Sequence, residues 1–370
     1  MISPRIILFG ATGYTGHLVA EAMVRRGLKP ILAGRNEAKL KELAGKLGGL
    51  ETRCADRNDL RSLAKELIGK GDVLASTVGP FTFYGEAALE AAAGQGAHYL
   101  DSTGEPGFIR KVFQNYGPRA QAAGVAFITA CGYDYVPGNC AAAAALRSAG
   151  PEAVRVDVGC FVTGGFAMSQ GTKASTRAAA VEPGLMWEAG RLVEQTSGLK
   201  LRTFAVGGKE KPGISISSSE HYSLPRLYPQ LQEVNVYLGW FGKRSAAMQR
   251  AAKIQAAAMK LPGVKKIMRA AIARSLKSEG RGPDKKFRET SGSLIVAESF
   301  DASGNILARA ELIGADGYSF TAEMLAWMAD SIIQGKLKQT GAVGPVEAFG
   351  LDELIAGCRQ AGLELRLSSS

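Results

Sequence analysis

The first third of the chain alternates short apolar runs with stretches of helical periodicity, and no other feature restricts the fold as strongly. Six predicted strands are separated by crossovers too long for hairpins, so the strands must pair in parallel. Parallel crossovers are right-handed almost without exception. The pattern therefore predicts an α/β fold with a doubly wound, Rossmann-type parallel sheet. The predicted strands are Arg5–Phe9, Pro30–Ala33, Glu51–Ala55, Asp72–Thr77, His98–Ser102 and Val125–Cys131. The helices predicted between them are Gly16–Arg26, Glu37–Leu47, Asn58–Gly69, Gly85–Gly94 and Gly107–Ala123.

After Pro137 the rhythm changes to an Ala-rich helix and longer strands, which predicts a second, α+β domain. A chain of 370 residues is long enough for two cores. We expect an NADP-binding domain at 1–137, a substrate and dimerisation domain at 138–317, and C-terminal helices at 318–370 that pack back on the first domain. The predicted elements of this part are Cys140–Ser148, Val154–Val162, Gly292–Phe300, Ile306–Leu312, Phe320–Gly335 and Leu351–Ala361.

A glycine-rich loop lies where the first strand meets the first helix. Gly10 permits a tight turn, Gly13 lets the backbone approach a pyrophosphate, and Gly16 allows the helix to pack closely on the strand. The N-terminus of the helix then offers unpaired N–H groups to the phosphates. The loop predicts a dinucleotide site formed by Gly10, Ala11, Thr12, Gly13, Tyr14, Thr15 and Gly16.

The end of the second strand indicates which dinucleotide is bound. An NAD enzyme places a carboxylate there for the ribose 2′-OH, whereas this chain has Arg35 and Asn36. A guanidinium can hold a 2′-phosphate with paired, charge-assisted hydrogen bonds, which predicts NADP(H) as the cofactor. Asp56, after the third strand, is predicted to meet the adenine edge or to cap a helix near Asn58.

Further candidates follow the later strands of the sheet, whose carboxyl ends line the ligand site in this fold. Val78, Gly79 and Pro80 bring backbone towards the nicotinamide ribose. Polar clusters at Tyr84–Gly85, Asp101–Glu105 and Cys131–Asn139 are substrate-side candidates. The predicted cofactor-binding residues among these are Ser102, Thr103, Gly104 and Tyr84. The candidate catalytic residues are Tyr133, Asp134 and Tyr84. Tyr133 or Asp134 could supply the proton that accompanies hydride transfer.

Composition excludes several classes of protein. Five cysteines without a C-x-x-C pair and three histidines predict neither disulfides nor a metal site, and we expect a cytoplasmic protein. Lys243–Arg288 carries fourteen cations against two acids, so the net charge of +11 reports one local patch. That segment either covers a packed core or contacts an anionic membrane surface or an acidic partner. No stacking aromatics accompany it, and nucleic acid is not an expected partner.

Two reductase mechanisms are also disfavoured by the sequence. No tyrosine is followed by a lysine four positions later, so the acid pair of short-chain dehydrogenases is absent. A cysteine nucleophile would need an exposed, activated thiol, whereas Cys140 starts an Ala-rich helix predicted to be buried.

With these motifs in hand, the chain resembles the saccharopine dehydrogenase-like family, within it the branch of trans-acting enoyl reductases. The resemblance lies in GATGYTG at 10–16, AGRN at 33–36, VGPFTFYGE at 78–86, YLDSTGE at 99–105 and CGYDYVPGN at 131–139. It implies a Rossmann domain, an α+β domain and hydride transfer from NADPH to an unsaturated bond. Tyr135 and Gly138–Asn139 depart from the pattern of the branch, which leaves the substrate open.

The function expected from these observations is reduction of a hydrophobic unsaturated substrate by NADPH. An enoyl substrate could be a small molecule, lipid-like or bound to an acyl carrier. Two alternatives stay open: reduction of an imine by the same fold, and a regulatory protein that binds NADP(H) without chemistry. A homodimer and a peripheral membrane contact are further expectations.

Overall fold

The computed structural model describes residues 4–56, 60–179, 184–275 and 282–369. Asn58, which is both the first residue of the predicted helix Asn58–Gly69 and the predicted capping position, lies outside the described residues. Residues 276–281 of the basic segment Lys243–Arg288 also lie outside them.

The elements of the first part are β1 (Ile6–Phe9), α1 (Tyr14–Arg25), β2 (Ile31–Gly34), α2 (Glu37–Lys46), β3 (Thr52–Cys54), α3 (Leu60–Leu67), β4 (Val73–Ser76), α4 (Phe81–Tyr84), α5 (Glu86–Gln95), β5 (His98–Asp101), α6 (Pro106–Lys111), α7 (Gly117–Ala123), β6 (Ala126–Ile128) and α8 (Val136–Ala149). The chain continues with β7 (Arg155–Thr163), α9 (Gln170–Ala179), β8 (Gly184–Glu188), β9 (Arg191–Gln195), β10 (Leu201–Val206), β11 (Lys209–Ile216), α10 (Glu220–Leu227), β12 (Glu233–Leu238), α11 (Ser245–Ala258), α12 (Val264–Ser275) and α13 (Lys285–Thr290). It ends with β13 (Gly292–Phe300), β14 (Ile306–Gly314), α14 (Gly317–Ile333), β15 (Gly341–Ala342), α15 (Pro345–Phe349), α16 (Leu351–Gln360) and β16 (Leu363–Ser369).

The first sheet is parallel and has the order β15-β6-β5-β4-β1-β2-β3. Its central strands are buried on both faces, which explains why β1 and β4 are continuous apolar runs. The order reverses between β1 and β4, and this switch point leaves a crevice at the carboxyl ends of the strands. The predicted Rossmann fold is confirmed.

One predicted helix, Gly107–Ala123, is divided in the structure. α6 is followed by a π-helical stretch at Val112–Tyr116 and then by α7. Pro118 lies in the first turn of α7, where its missing N–H interrupts the regular i to i−4 ladder. Apolar periodicity alone could not distinguish this arrangement from one continuous helix.

The second sheet is mixed, in the order β10-β11-β12-β7-β13-β14-β16, with β8 and β9 attached beside β12. Helix α8 packs on one face of the sheet, against β7, β13 and β14. The sheet is strongly curved on its other face. Phe204 of β10 contacts Phe161 of β7, three strands away in the sheet order, with ring centroids 5.6 Å apart. Arg202 of β10 also forms ion pairs with Asp157 and Glu298. This is the second, mixed-sheet domain that the sequence predicted.

The C-terminal segment contributes to both sheets. Helix α14 packs along α1, where Arg25 Nη2 donates to Glu323 Oε1 at 2.7 Å. Two-residue β15 extends the first sheet beside β6, and β16 pairs with β14 of the second sheet. Both strands were missing from the sequence prediction, which described this segment as helices. The predicted domain boundaries after residues 137 and 317 stay predictions. In the described ranges, every helix is too short or too polar to cross a bilayer.

Candidate active site

A cleft of about 980 Å³ opens at the carboxyl ends of the first sheet. Strands β11 and β12 of the second sheet form its opposite wall through Ile214, Ile216 and Leu238. The predicted site residues that line the cleft are Gly10, Thr12, Gly13, Tyr14, Thr15, Arg35, Asn36, Asp56, Val78, Gly79, Ser102, Gly104 and Asp134. Residues far apart in sequence are thus brought to one side of the molecule.

The glycine loop has the geometry that a dinucleotide site requires. Gly10 has φ of +91°, and a Cβ on it would lie 2.7 Å from Thr77 Oγ1. A Cβ on Gly16 would lie 2.1 Å from the Gly10 carbonyl oxygen, so any side chain there would push α1 off the loop. The N-cap of α1 is Gly13, which has no side chain that could cap the helix. Its first N–H groups therefore face the cleft, where they can bind phosphate. Ala11 is buried beneath the loop.

The end of β2 and the first turn of α2 each supply one cation to the cleft. Arg35 and Lys39 both line it, and Lys39 was not among the predicted site residues. Asn36 has a second role, because its side chain accepts a hydrogen bond from Lys39 N at 2.9 Å and caps α2. Asp56 lies on the cleft wall near this end. The two cations suit a 2′-phosphate, and the cap orients the helix that carries Lys39.

The loop after β4 is positioned by Glu105, which the sequence analysis counted among the substrate-side candidates. Its carboxylate is buried and accepts hydrogen bonds from Phe81 N and Thr82 N, both at 2.8 Å. Ser175 of α9 donates to the same carboxylate at 2.6 Å. Val78 and Gly79 line the cleft above this anchor, whereas Pro80 does not. Glu105 therefore anchors a loop, and it is absent from the cleft lining.

The segment after β5 is held by Asp101, which is fully buried. Its carboxylate accepts from the backbone N–H groups of Thr103 and Ala130 and from the Thr129 hydroxyl. Burial raises the pKa of Asp101 to about 6. Thr103 is buried by the same turn, and its hydroxyl accepts from Glu105 N at 3.1 Å. Ser102 and Gly104 therefore face the cleft, while Thr103 has a structural position.

Asp134 stands out among the three candidate catalytic residues. It lines the cleft, yet its Oδ1 is buried and has no hydrogen-bond partner within the part of the chain that the structure describes. Burial raises the pKa of this carboxyl to about 7. Because the ordinary value is 3.8, Asp134 retains its proton close to neutral pH, as a general acid requires.

The other two candidates occupy different surroundings. The Tyr133 hydroxyl donates to the Phe161 carbonyl at 3.0 Å, and burial raises the pKa of the hydroxyl well above its ordinary value. Tyr84 lies at the end of α4, beside Phe83, and is not part of the cleft lining. The structure therefore places Asp134, and neither of these tyrosines, on the cleft wall.

A smaller apolar chamber of about 130 Å³ adjoins the cleft. Thr15, Ser102, Asp134, Thr172 and Trp240 line both spaces, so Asp134 lies at their junction. The remaining walls are largely aromatic or aliphatic and include Tyr133, Val162, Phe166, Met168, Phe287 and Tyr318. Most of these residues come from the second domain, far from the motifs in sequence. No local pattern could have associated them with the loop of the first domain.

A second buried carboxyl, that of Glu220, lies behind the cleft at the start of α10, and its Oε2 accepts a hydrogen bond from the Ser219 hydroxyl. Glu220 is fully buried, its Oε1 has no hydrogen-bond partner in the described ranges, and burial raises its pKa to about 8. A Cβ on Gly138 would lie 2.1 Å from Glu220 Oε1, so the glycine makes room for this carboxyl. Asn139 joins the same region through Ser219 and Ser223.

A Rossmann sheet with an uncapped glycine-rich loop, facing a second mixed sheet across the cleft, defines a class of dinucleotide-binding proteins. Residues 6–128 match the family model of the saccharopine dehydrogenase NADP binding domain. The resemblance to the saccharopine dehydrogenase-like family is thereby confirmed over this part of the chain, as is the NADP cofactor.

Two solved structures share the fold along nearly the whole chain. Saccharopine dehydrogenase (L-Glu forming) from Saccharomyces cerevisiae aligns with a TM-score of 0.63 and 14% identity, covering 99% of this chain and 100% of that one. The homospermidine synthase of Legionella pneumophila, solved in complex with NAD, aligns with a TM-score of 0.59 and 9% identity over 99% and 91%. At these identities the likeness concerns the fold alone.

Curated relatives are more similar in sequence but match over a shorter range. A protein of Caenorhabditis elegans named "Lipid droplet localized protein" is 37% identical over 146 residues, which are 36% of this chain and 34% of that protein. The "Trans-acting enoyl reductase" of Mycobacterium leprae is 36% identical over 140 residues, or 36% and 33% of the two chains. The chain thus spans about a third of the length of these relatives.

Proposed function

We propose that the protein is an NADPH-dependent reductase of a hydrophobic, unsaturated substrate of the enoyl type. The observation that carries the proposal is the position of Asp134, a buried carboxyl at the junction of a dinucleotide cleft and an apolar chamber, where burial raises its pKa to about 7. The name of the M. leprae relative, a trans-acting enoyl reductase, supports this substrate class.

Different residues of the chain have different roles in such a reduction. NADPH, when bound in the cleft, supplies the hydride that reduces the β-carbon of the double bond. Asp134 gives its proton to the α-carbon and is then reprotonated from the cleft. Gly10, Gly13 and the N-terminus of α1 hold the pyrophosphate, and Arg35 with Lys39 holds the 2′-phosphate.

The apolar chamber explains why the substrate is expected to be hydrophobic. Its walls are mainly apolar, through residues such as Val162, Phe166, Met168 and Phe287, and they favour a hydrocarbon chain over a sugar or an amino-acid dicarboxylate. An acyl chain loses contact with water there instead. The cleft beside it leaves room for the thioester and for the group that carries the chain.

The test is NADPH oxidation by purified protein with enoyl thioesters, free enoyl lipids and imines, each with the wild type and with Asp134→Asn. We expect turnover of an enoyl compound by the wild type and its loss in the variant. Turnover of imines alone would assign the protein to C=N reduction. Tight NADPH binding without turnover of any compound would favour a regulatory role and contradict the proposal.

The expected location and partners stay proposals as well. The name of the C. elegans relative, which places that protein at lipid droplets, supports work at a lipid surface. A hydrophobic or carrier-bound substrate suits the same setting. The homodimer remains a prediction, to be tested by the molecular mass in solution.

A further inference from the structure

Helices α11 and α12, with the turn at 259–263 between them, form a helical hairpin across residues 245–275. From Lys243 to Ser275 the sequence has nine lysines and arginines and no acidic residue. This stretch therefore accounts for most of the net positive charge of the chain. A hairpin with charge of one sign has no internal ion pairs between acidic and basic side chains to stabilise it.

The hairpin is held to the protein by few contacts. Among the described residues, Ser245 is the one buried side chain of α11, and α12 has none. The inner face of α11 lines the cleft with Met248, Ala252, Gln255 and Ala256, and Met259 of the turn adds to this wall. Arg269 of α12 lies over the Phe83 ring, 5.4 Å from its centroid. The hairpin thus covers a hollow space and not a packed core.

The outward side of the hairpin is both apolar and cationic. Ile254 is 72% exposed, Leu261 60% and Ile267 71%, and none of the three lines the cleft. Exposed basic side chains that do not line the cleft accompany them along the chain: Arg250, Lys253, Lys266 and Arg274. Three large aliphatic side chains exposed within one helical hairpin, beside cations and no acids, have the composition of a helix that lies on a membrane surface.

We propose that the outward side of this hairpin binds the surface of an anionic lipid bilayer. The aliphatic side chains would insert below the headgroups, and the flexible lysine stems would place their charges at the phosphates. Cations without acids match a lipid headgroup layer, where each Lys or Arg near the surface adds to binding. An acidic protein partner would engage the cations alone, whereas a bilayer also takes up the three exposed aliphatic side chains.

The position of the hairpin suggests what the membrane contact is for, and this part of the inference rests on the proposed function. Lys260 and Lys265 line the cleft, and the turn that joins the helices carries Leu261. The element that meets the membrane is therefore also a wall of the cleft that holds the substrate. A lipid-like enoyl chain could pass from the bilayer into the cleft without crossing water.

The experiment is co-sedimentation of the purified full chain with vesicles of phosphatidylcholine, with or without phosphatidylserine. Two double variants test the two components: Ile254→Gln with Ile267→Gln, and Lys253→Glu with Lys266→Glu. Ile306→Gln and Lys209→Glu are matched controls, because Ile306 is 42% exposed on β14 and Lys209 is exposed at the start of β11. We expect the wild type and both controls to bind the anionic vesicles.

Each hairpin variant should lower the vesicle affinity by on the order of tenfold or more, and the charge variant should abolish the preference for phosphatidylserine. Equal binding of all variants, or no binding by the wild type, overturns the inference. Binding of the wild type to an acidic acyl carrier protein but not to vesicles would assign the surface to a protein partner and also overturn it.

Turnover of a short, water-soluble enoyl thioester separates this inference from the proposed function. The hairpin variants should retain that activity, since the substituted side chains lie outside the cleft lining. A protein that binds vesicles but reduces no substrate would retain the membrane surface and lose the proposed function. A protein that reduces the soluble substrate but binds no vesicles would support the proposed function and contradict the membrane surface.

Discussion

At the scale of single residues, the structure distinguishes positions that are similar in sequence. Asp101 ends β5 and Asp134 follows β6, and both are buried. Three hydrogen bonds hold the Asp101 carboxylate in its turn, while Asp134 Oδ1 has no partner among the described residues. A buried, unpaired carboxyl at a cleft is costly for stability, and functional sites are where such groups concentrate.

Asp134→Asn should lower kcat by roughly 10²- to 10⁴-fold, because the amide cannot donate the proton that the carboxyl supplies. For the wild type, kcat should fall as pH rises through about 7, where Asp134 loses its proton. The residual activity of the variant should lack this dependence. Its NADPH affinity, measured by calorimetry, should stay near that of the wild type. An unchanged pH profile in the variant would assign the proton to another group.

Arg35→Asp should weaken NADPH binding far more than NADH binding. The carboxylate would repel the 2′-phosphate that the guanidinium attracts, and the loss for NADPH should be on the order of 10²-fold or more. Dissociation constants for both cofactors, measured by fluorescence titration, give the comparison. Arg53→Asp, at an exposed position of β3 outside the cleft lining, is the matched charge control and should leave both constants nearly unchanged. An equal loss of both cofactors in Arg35→Asp would mean that Arg35 does not read the 2′-phosphate.

At the scale of elements, α8 and α10 meet behind the cleft and enclose the Glu220 carboxyl. The start of α8 has no side chain larger than hydrogen at Gly138, which leaves room for Glu220 Oε1. Ser219 and Ser223 of the α10 region bond Asn139 of α8 and fix the two helices together. Among the described residues, Glu220 Oε1 has no hydrogen-bond partner. Burial without a partner disfavours the ionised carboxylate and raises the pKa of Glu220.

Glu220→Gln should flatten the dependence of stability on pH. The folded pKa of about 8 lies above the ordinary 4.5, so folding favours the protonated form. Its stabilising contribution is fully present below pH 4.5 and is lost as pH rises through about 8, by at most about 1.4 kcal/mol per pH unit. Thermal unfolding across this range should show a steeper decline for the wild type. Glu353→Gln, at an exposed position of α16, should leave the slope unchanged, and a slope in Glu220→Gln equal to that of the wild type would refute the assignment.

At the scale of the whole molecule, the C-terminal segment ties the two sheets together. α14 packs on α1, β15 joins the first sheet, and β16 completes the second. Neither sheet is therefore built from one continuous stretch of chain. The cleft lies between them, so its width depends on how this segment holds the two domains.

Leu363→Ala should destabilise the protein by about 2–5 kcal/mol, because Leu363 at the start of β16 is fully buried and its loss leaves a cavity. Leu367→Ala, on the same strand but 50% exposed, is the matched control and should cost much less. Urea unfolding of both variants measures the difference. Equal effects would show that β16 does not contribute to the core as the structure indicates.

Local patterns were sufficient for the first domain and for much of its cofactor site. Strand and helix periodicity, crossover length and the glycine loop are properties of neighbouring residues, so β1 to β6 and the position of Gly10, Gly13, Arg35 and Val78 follow from the sequence. The exchange of a carboxylate for Arg35 likewise indicates the cofactor without any knowledge of the fold.

Only the tertiary structure decided which polar residues share one space. Burial and partners are set by residues distant in sequence, so Asp134 could not be separated from Tyr133 until the chamber of the second domain was present. The same holds for Glu105, whose carboxylate anchors a loop some twenty residues earlier, and for β15 and β16. The sequence determined the elements and the cofactor loop, because those depend on local chemistry. The long-range packing decided that Asp134 lies at the cleft, which residues line the chamber, and which strands complete the two sheets.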